Sequence, residues 1–207
     1  MSQMTLRFDL LTYWHAGTGR GAAAAADAVV FRDEAGLPCL PGRTVRGLVR
    51  AAMERAVAAG VLPAERLVRW FGSPKAGMVE SDGLDPDAAL EEARFATEAG
   101  CLWFGSARLP DSWARWAAAK SDHAQPILAE LTTHVASTAV GADGTAQDET
   151  LRVSEVAVPM TLRAIVRGPD DPDWQEDLKR ALPLLRSVGS RRNRGYGRVR
   201  VVVEGAP

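Results

Sequence analysis

The stretch GSRRNRGYGR, residues 189–198, threads four arginines through three glycines and a tyrosine just before an apolar run. Guanidinium forks bind phosphate oxygens bidentately, and glycines let a backbone with exposed N–H groups come close to a ligand. The combination suits a sugar-phosphate chain, with Tyr196 of a type that stacks on bases. A solvated, glycine-rich turn between a helix and a strand has the same composition and stands as the alternative. A second cationic stretch, LPGRTVRGLVR at 40–50, sets Gly42, Arg43, Arg46 and Arg50 on the first turns of a helix. Free N–H groups and the helix dipole favour an anion there, and an ordinary basic face on a surface helix is the alternative reading.

Other chemistries are excluded by what the chain lacks. GTGRG at 17–21 is not followed by a helix in a βαβ unit, and no GxxxxGK[ST] string occurs, so a nucleotide-cofactor enzyme has no phosphate-binding motif to use. Cys39 and Cys101 have no second Cys or His at metal-ligand spacing, which indicates neither a zinc site nor a disulfide framework and fits a reducing cytoplasm. His123 and His134 have no partners at informative spacing. No window approaches the roughly 20 apolar residues that span a bilayer, so no membrane partner is expected. The 25 basic and 26 acidic residues nearly cancel, and only local clustering can mark a polyanion site. Arg186 to Arg200 holds six arginines and no acid, whereas 143–155 and 170–177 are acid-rich.

The elements that must position these residues follow from periodicity and punctuation. Residues 4–14 alternate as an opening strand, and 16–27, with its glycines and alanine run, reads as a long loop. A turn falls at Glu34–Gly36, which leaves Asp33 and Glu34 structural. From Thr44, the expected N-cap, Val45, Leu48, Val49, Ala52, Met53, Ala56 and Val57 recur at helical spacing up to Gly60. A short helix is expected at 63–70, and an inserted excursion at 74–99 with a helix near 86–98. A strand over 101–110 precedes a helix at 111–120 capped by Asp111. The β-rich segments 133–140 and 151–168 flank the turn GADGTAQDE as a long hairpin. A helix near 172–187 leads into the arginine-glycine stretch, and a closing strand ends the chain. The six tryptophans are expected in the core or at a subunit interface. With no repeat or linker, 1–207 reads as one α+β domain, helices packed on an antiparallel sheet.

The collinear series WHAGTGRG, DAVVFRDEAGLPCLPGRTVRGLVRAAM, WFGS, LWFGSARLP, ASTAVGADGTAQDETLRVSEVAVP and GSRRNRGYGR spans residues 5–203. It resembles the RAMP superfamily of CRISPR-associated proteins, and within it the repeated backbone subunit of type III effector complexes. The sequence departs from the family pattern in three places. Arg43-Thr44 stands for Ser-Ser, SEVAVP carries Glu155 without the arginine that follows it in relatives, and the hairpin turn lacks their Ile-Asp-Arg.

The resemblance implies a ferredoxin-like core of RNA-recognition-motif type, with a helical insertion at 74–99. A hairpin at 138–158 would protrude from this core and displace nucleotides of a guide–target duplex. It implies CRISPR guide RNA, complementary target RNA, other RAMP subunits, a large effector subunit and stacked copies of this chain as partners. Gly42, Arg43, Thr44, Arg46, Arg50, Arg191, Arg192, Arg194, Tyr196 and Arg198 would contact the guide. Asp27 falls where the family places the loop aspartate that cuts target RNA, holding Mg2+ or Mn2+. Such a cation beside a phosphodiester stabilises developing charge and positions the 2′-hydroxyl or the leaving group. Two alternatives stay open: a structural subunit that does not cut, and a guide-precursor-processing endoribonuclease with His15 as general base.

Overall fold

The computed structural model describes residues 1–19, 27–73, 98–119, 124–142 and 144–205. Its centre is β1 (Ser2–Leu10), where Met4, Leu6, Phe8 and Leu10 point inward and Thr5, Arg7 and Asp9 point outward. This period of two makes one face of the sheet apolar. β1 pairs antiparallel with β5 (Thr161–Gly168) on one side and β6 (Val199–Val203) on the other, with Phe8 opposite both Leu162 and Val201. β2 (Trp103–Phe104) adds to β5, giving the order β2-β5-β1-β6.

Two helices cover the apolar face. α1 (Gly42–Ala58) buries Val45, Val49, Ala52, Met53 and Ala56, and α5 (Asp173–Ala181) buries Trp174, Asp177, Leu178 and Ala181. Helices segregated to one side of an antiparallel sheet make this an α+β fold. Shorter helices α2 (Ala64–Phe71), α3 (Asp111–Ala118) and α4 (Ala124–Ala129) lie between β1 and the hairpin of β3 (Thr132–Ser137) and β4 (Arg152–Ala157). That hairpin forms a separate two-stranded sheet, Ser137 opposite Arg152 and Thr132 opposite Ala157.

Several boundaries differ from expectation, each for a local reason. α1 starts at Gly42, and Thr44 lies inside its first turn, donating its N–H to Pro41 O at 2.8 Å, so it is not the cap. Asp111 is likewise the first helical residue of α3 and caps nothing. Pro41, Pro63, Pro110 and Pro172 instead precede α1, α2, α3 and α5. The fixed proline φ suits a helix entrance, where a missing N–H costs nothing. The run 151–168 is not one strand: Pro159, which cannot donate to a ladder, separates β4 from β5, and the two join different sheets.

The expected strand at 101–110 is regular only at Trp103–Phe104. Phe104 lies opposite Val166 but Arg108 opposite Arg163, a one-residue slip that marks a bulge and lets Ala107 turn to pair with Leu40. The helix expected to reach 187 ends at Ala181 and tightens into a 3₁₀ turn over Leu182–Leu184, before Leu185 turns extended. α4 was not expected. The helix near 86–98 falls almost wholly outside the described residues, but the chain on either side of it is clasped: Ser73 N donates to Glu98 O at 3.1 Å and Glu98 N to Ser73 Oγ at 2.9 Å.

Three of the six tryptophans, Trp14, Trp70 and Trp174, are fully buried with their indole N–H groups bonded. Trp70 donates to Asp177 Oδ2 at 2.8 Å, and Arg66 lies 3.6 Å from the same oxygen. Replacing Asp177 by alanine leaves a buried indole donor without its acceptor. It should lower the unfolding free energy by about 1–3 kcal/mol, read as a lower urea midpoint at unchanged m-value, while Asp177→Asn, which retains an acceptor, should lose less.

Candidate nucleic-acid interface

Beyond Leu10 the chain of β1 runs on as single bridges, and this extension assembles the site. Trp14 and Ala157 exchange both backbone hydrogen bonds, Phe31 N donates to Ala16 O at 2.7 Å, and Ala28 forms a parallel bridge to Ser154. Residues 14–17, 27–31 and β4 thus lie side by side. One residue ties them. Glu155 N donates to Ala28 O at 2.9 Å, Glu155 O accepts from His15 Nδ1 at 2.7 Å, Glu155 Oε2 accepts from Val30 N at 2.8 Å, and Glu155 Oε1 accepts from Arg32. The guanidinium missing from the residue after Glu155 comes instead from Arg32, 123 positions away in the chain. Burial alone would raise the Glu155 carboxyl, but the Val30 N–H and the Arg32 charge outweigh it and hold the pKa below its ordinary value.

A cavity of about 600 Å³ opens over these segments, lined by His15, Gly17, Asp27, Thr44, Gly189 and Ser190 among others. It brings together Asp27, the first turn of α1, and the start of the arginine-glycine loop. Asp27 is exposed; its N–H donates to Val153 O at 2.8 Å and its Oδ2 accepts from Val153 N at 2.7 Å. Oδ1 has no protein donor among the described residues. A carbonyl can only accept, so the His15 bond to Glu155 O places a hydrogen on Nδ1 and leaves Nε2 as the open ring nitrogen. A Cβ at Gly17 would collide with that nitrogen, so glycine there makes room for the ring.

The loop's glycines serve a purpose that composition did not reveal. Gly189 has φ +74° and a Cβ there would strike His15 O; Gly197 has φ +68° and a Cβ would strike Val188 O. Ser190 N donates to His15 O and Gly197 N to Tyr13 O, which lays the loop against the β1 extension. Gly189 and Gly197 permit close packing within the protein, while Gly195, at φ +83°, has open space where a Cβ would stand. The arginines keep their expected freedom unequally. Arg192, Arg194 and Arg198 are exposed, with no side-chain partner among the described residues. Arg191 adopts φ +56° and donates to Ser154 Oγ at 2.8 Å, bracing the loop against β4, while Tyr196 is half-buried on the same loop.

On α1 the expected cluster divides. Arg43 is exposed without a partner among the described residues, and Thr44 lines the cavity. Gly42 faces the other way: its N–H donates to Ser106 Oγ at 3.2 Å and a Cβ would strike Phe104 O. Arg46 donates to Phe71 O at 2.6 Å, and Arg50 pairs with Glu54 one turn on at 2.9 Å. These three have internal partners and do not share the cavity. Other arginines are answered by acids: Arg7 by Asp9, Arg66 by Asp173, Arg69 by Asp171, Arg108 by Glu34, Arg163 by Glu204. Arg43, next to the cavity-lining Thr44, and Arg192, Arg194 and Arg198, on the loop whose first residues Gly189 and Ser190 line the cavity, are exposed cations without acid partners among the described residues, although none of the four lines the cavity itself.

A metal would find a sparse donor set. Among the described residues no three His, Cys, Asp or Glu side chains group as a site, so the protein offers Asp27 Oδ1 alone. That fits a hard cation held by one carboxylate and completed by water and substrate phosphates, as Mg2+ commonly is. Cys39 and Cys101 are free thiols, and burial pushes Cys39 up to about 11. Among the described residues no helix is long and apolar enough to cross a membrane.

A family model of the RAMP superfamily matches residues 7–200, and the chain belongs to that superfamily. Its fold is similar to that of a chain in the cryo-EM structure of type III-B Cmr-beta bound to cognate target RNA, at 10% identity and TM-score 0.67, covering 98% of this chain and 97% of that one. It is likewise similar to a chain in the cryo-EM structure of the type III-B Cmr-beta apo state, at 12% identity and TM-score 0.68, with coverage of 98% and 97%. At these identities the likeness is one of fold. No protein of curated function matches the sequence.

The Glu155 node gives a test with a defined sign. Because the folded-state pKa lies below the ordinary 4.5, the carboxylate's contribution is fully present above that value and is lost as pH falls through the lowered one. Glu155→Gln should cost about 1.5–3 kcal/mol at neutral pH, because the Val30 N–H and the part-exposed Arg32 lose a charged acceptor. The gap from wild type in thermal unfolding should close on acidification. Gly189→Ala, which forces a side chain against His15 O at positive φ, should destabilise by at least about 1 kcal/mol, read as a drop in melting temperature.

Proposed function

We propose that this chain is the guide-RNA-binding backbone subunit of a type III CRISPR effector complex and that it cuts guide-paired target RNA at Asp27. The observation that carries this reading is the groove that unites Asp27, the α1 entrance and an arginine-glycine loop whose cations have no acid partners. Arg43, Arg192, Arg194 and Arg198 are placed to meet guide phosphates, a sequence-blind grip that leaves recognition to base pairing. Arg191 braces the loop through Ser154, the half-buried Tyr196 is the loop's aromatic ring for a base, and Thr44 lines the cavity; Gly42, Arg46 and Arg50 contribute through the packing of α1.

The strand order β6-β1-β5-β2, with α1 and α5 in the two crossovers, supports a ferredoxin-like core. The clasp between Ser73 and Glu98 supports reading 74–99 as an insertion. The hairpin, with its tip between Ser137 and Arg152, is the element we assign to displacing nucleotides, and other RAMP subunits, a large effector subunit and further copies of this chain are the partners in a cytoplasmic ribonucleoprotein.

Asp27 Oδ1 would hold Mg2+ or Mn2+, which on binding supplies positive charge next to the scissile phosphate. The chain's own part is positional. The Val153 N–H fixes the Asp27 carboxylate through Oδ2 and keeps Oδ1 turned to the groove. With guide-loaded complex and labelled complementary RNA, regularly spaced, magnesium-dependent cuts should be lost in Asp27→Ala at unchanged RNA affinity. Tight binding without cuts in wild type would leave a structural subunit.

His15 supports a second reading, because its Nε2 opens on the same cavity with the tautomer set by Glu155 O. Metal-independent cleavage of a guide precursor that survives Asp27→Ala and is lost in His15→Ala would favour it. The grip itself is tested by salt: replacing Arg192, Arg194 and Arg198 by alanine should weaken guide binding and reduce the slope of log K against log salt by about 2.

A further inference from the structure

The four-stranded sheet is covered by α1 and α5 on one face only. Its other face carries Arg7, Arg163, Arg167 and Arg200, and its two acids, Asp9 and Glu204, are held by Arg7 at 3.1 Å and Arg163 at 2.7 Å. Arg167 and Arg200 have no acid partner among the described residues. On the same face, directly opposite Arg167 in the pairing of β2 with β5, stands Trp103. It is 53% exposed, far more than a tryptophan needs to be in a sheet, and the Arg167 guanidinium lies 5.1 Å from its ring centre. Gly105 leaves space for the ring, whose edge would come within 3.2 Å of a Cβ there, and the neighbouring Ile165 is 40% exposed.

This surface approaches the groove across the first turn of α1. A second cavity of about 600 Å³ is lined by Trp103, Gly105, Arg108, Arg163, Ile165 and, at its far wall, Gly42. The Asp27 groove is lined by Thr44, two residues further along the same helical turn, and the unpartnered Arg43 lies between them. The two cavities therefore flank one turn of α1. Of the acids near the second cavity, Glu204 faces Arg163 and Glu34 faces Arg108, which leaves Asp111 at the start of α3 as its one acid without a basic partner among the described residues.

We propose that the open sheet face is a second RNA surface, where a single strand leaving the Asp27 groove past Arg43 stacks an unpaired base on the Trp103–Arg167 pair. Aromatic rings and guanidinium planes accept any base, and a sheet face on which Arg167 and Arg200 remain without acid partners, its two acids being matched by Arg7 and Arg163, tolerates the backbone. The proposal rests on reading the Asp27 groove as an RNA site.

The test uses the full chain and single-stranded oligouridylates of about 4 and about 16 nucleotides, the range one single-strand-binding fold covers. 5-Iodouridine in the longer RNA should crosslink to Trp103. Trp103→Ala should weaken the longer RNA roughly tenfold and leave the shorter one unchanged, while Trp103→Phe, which keeps a ring, should restore most of the loss. Alanine at Arg192, Arg194 and Arg198 should weaken both RNAs. If the loop variant weakens RNA but Trp103→Ala does not, and no crosslink maps to Trp103, the sheet-face proposal is overturned and the groove reading stands. If the loop variant changes nothing, both fail. If Trp103→Ala spares RNA binding but lowers the mass of the protein in light scattering, the face docks protein and the proposal is overturned.

Discussion

Glu155 spends its polar groups on two other stretches of chain, and the groove exists because it does. Its backbone takes Ala28 and His15 and its carboxylate takes Val30 and Arg32, so the segment bearing Asp27, the end of the β1 extension and the hairpin are joined at one buried point. A buried carboxylate is costly in isolation, and here the cost is offset by the Val30 N–H and the Arg32 guanidinium. The consequence is positional: Asp27 and His15 are each one hydrogen bond from β4, Asp27 through Val153 and His15 through Glu155 itself. The placement of Asp27 and His15 and the stability of the hairpin are therefore coupled, and a change to one is felt in the other.

How much of this could be read from the residues alone depended on range. The 3.6 period of α1 and the period of two in β1 are local, and both elements formed where those patterns lie. The helix entrances were misplaced because Thr44 and Asp111 have cap chemistry, whereas the chain begins each helix directly after a proline, which needs no cap. Four helices share that arrangement, a usable mark that was in the sequence throughout. The split between β4 and β5 was equally local, at Pro159. The pairing of Arg32 with Glu155 was not: nothing at either position indicates a partner 123 residues away, and only the fold brings them together.

The arginine-glycine loop was legible in part and for a partly different reason. Its arginines do form a cluster without acids, as composition suggested. Two of its three glycines, Gly189 and Gly197, however, answer to His15 and Val188 carbonyls inside the protein, while Gly195 faces open space. Arg191 takes a left-handed conformation that costs a non-glycine residue of order 1 kcal/mol or more, and its bond to Ser154 offsets that cost. The loop is thus stiff where glycine suggested pliancy. Stiffness is the more useful property for holding a polyanion, since cations already in place lose less entropy on binding.

A balanced chain with a net charge of −1 creates little long-range field. Attraction to a polyanion must then come from which cations are left unpaired, and the fold decides that by supplying acids selectively. Arg7, Arg66, Arg69, Arg108 and Arg163 each have one within 3.1 Å, while Arg43, Arg192, Arg194 and Arg198 have none among the described residues. Near the helix entrance the selection is finest: within eight residues of α1, Arg43 is free, Arg46 is bound to a carbonyl and Arg50 is bound to Glu54. A face of three equivalent arginines in the sequence becomes a single directed cation in the structure, next to the groove and at the turn the second cavity shares. Arg43 thus stands at the turn of α1 that the two cavities flank, while its neighbours Arg46 and Arg50 are taken up within the protein.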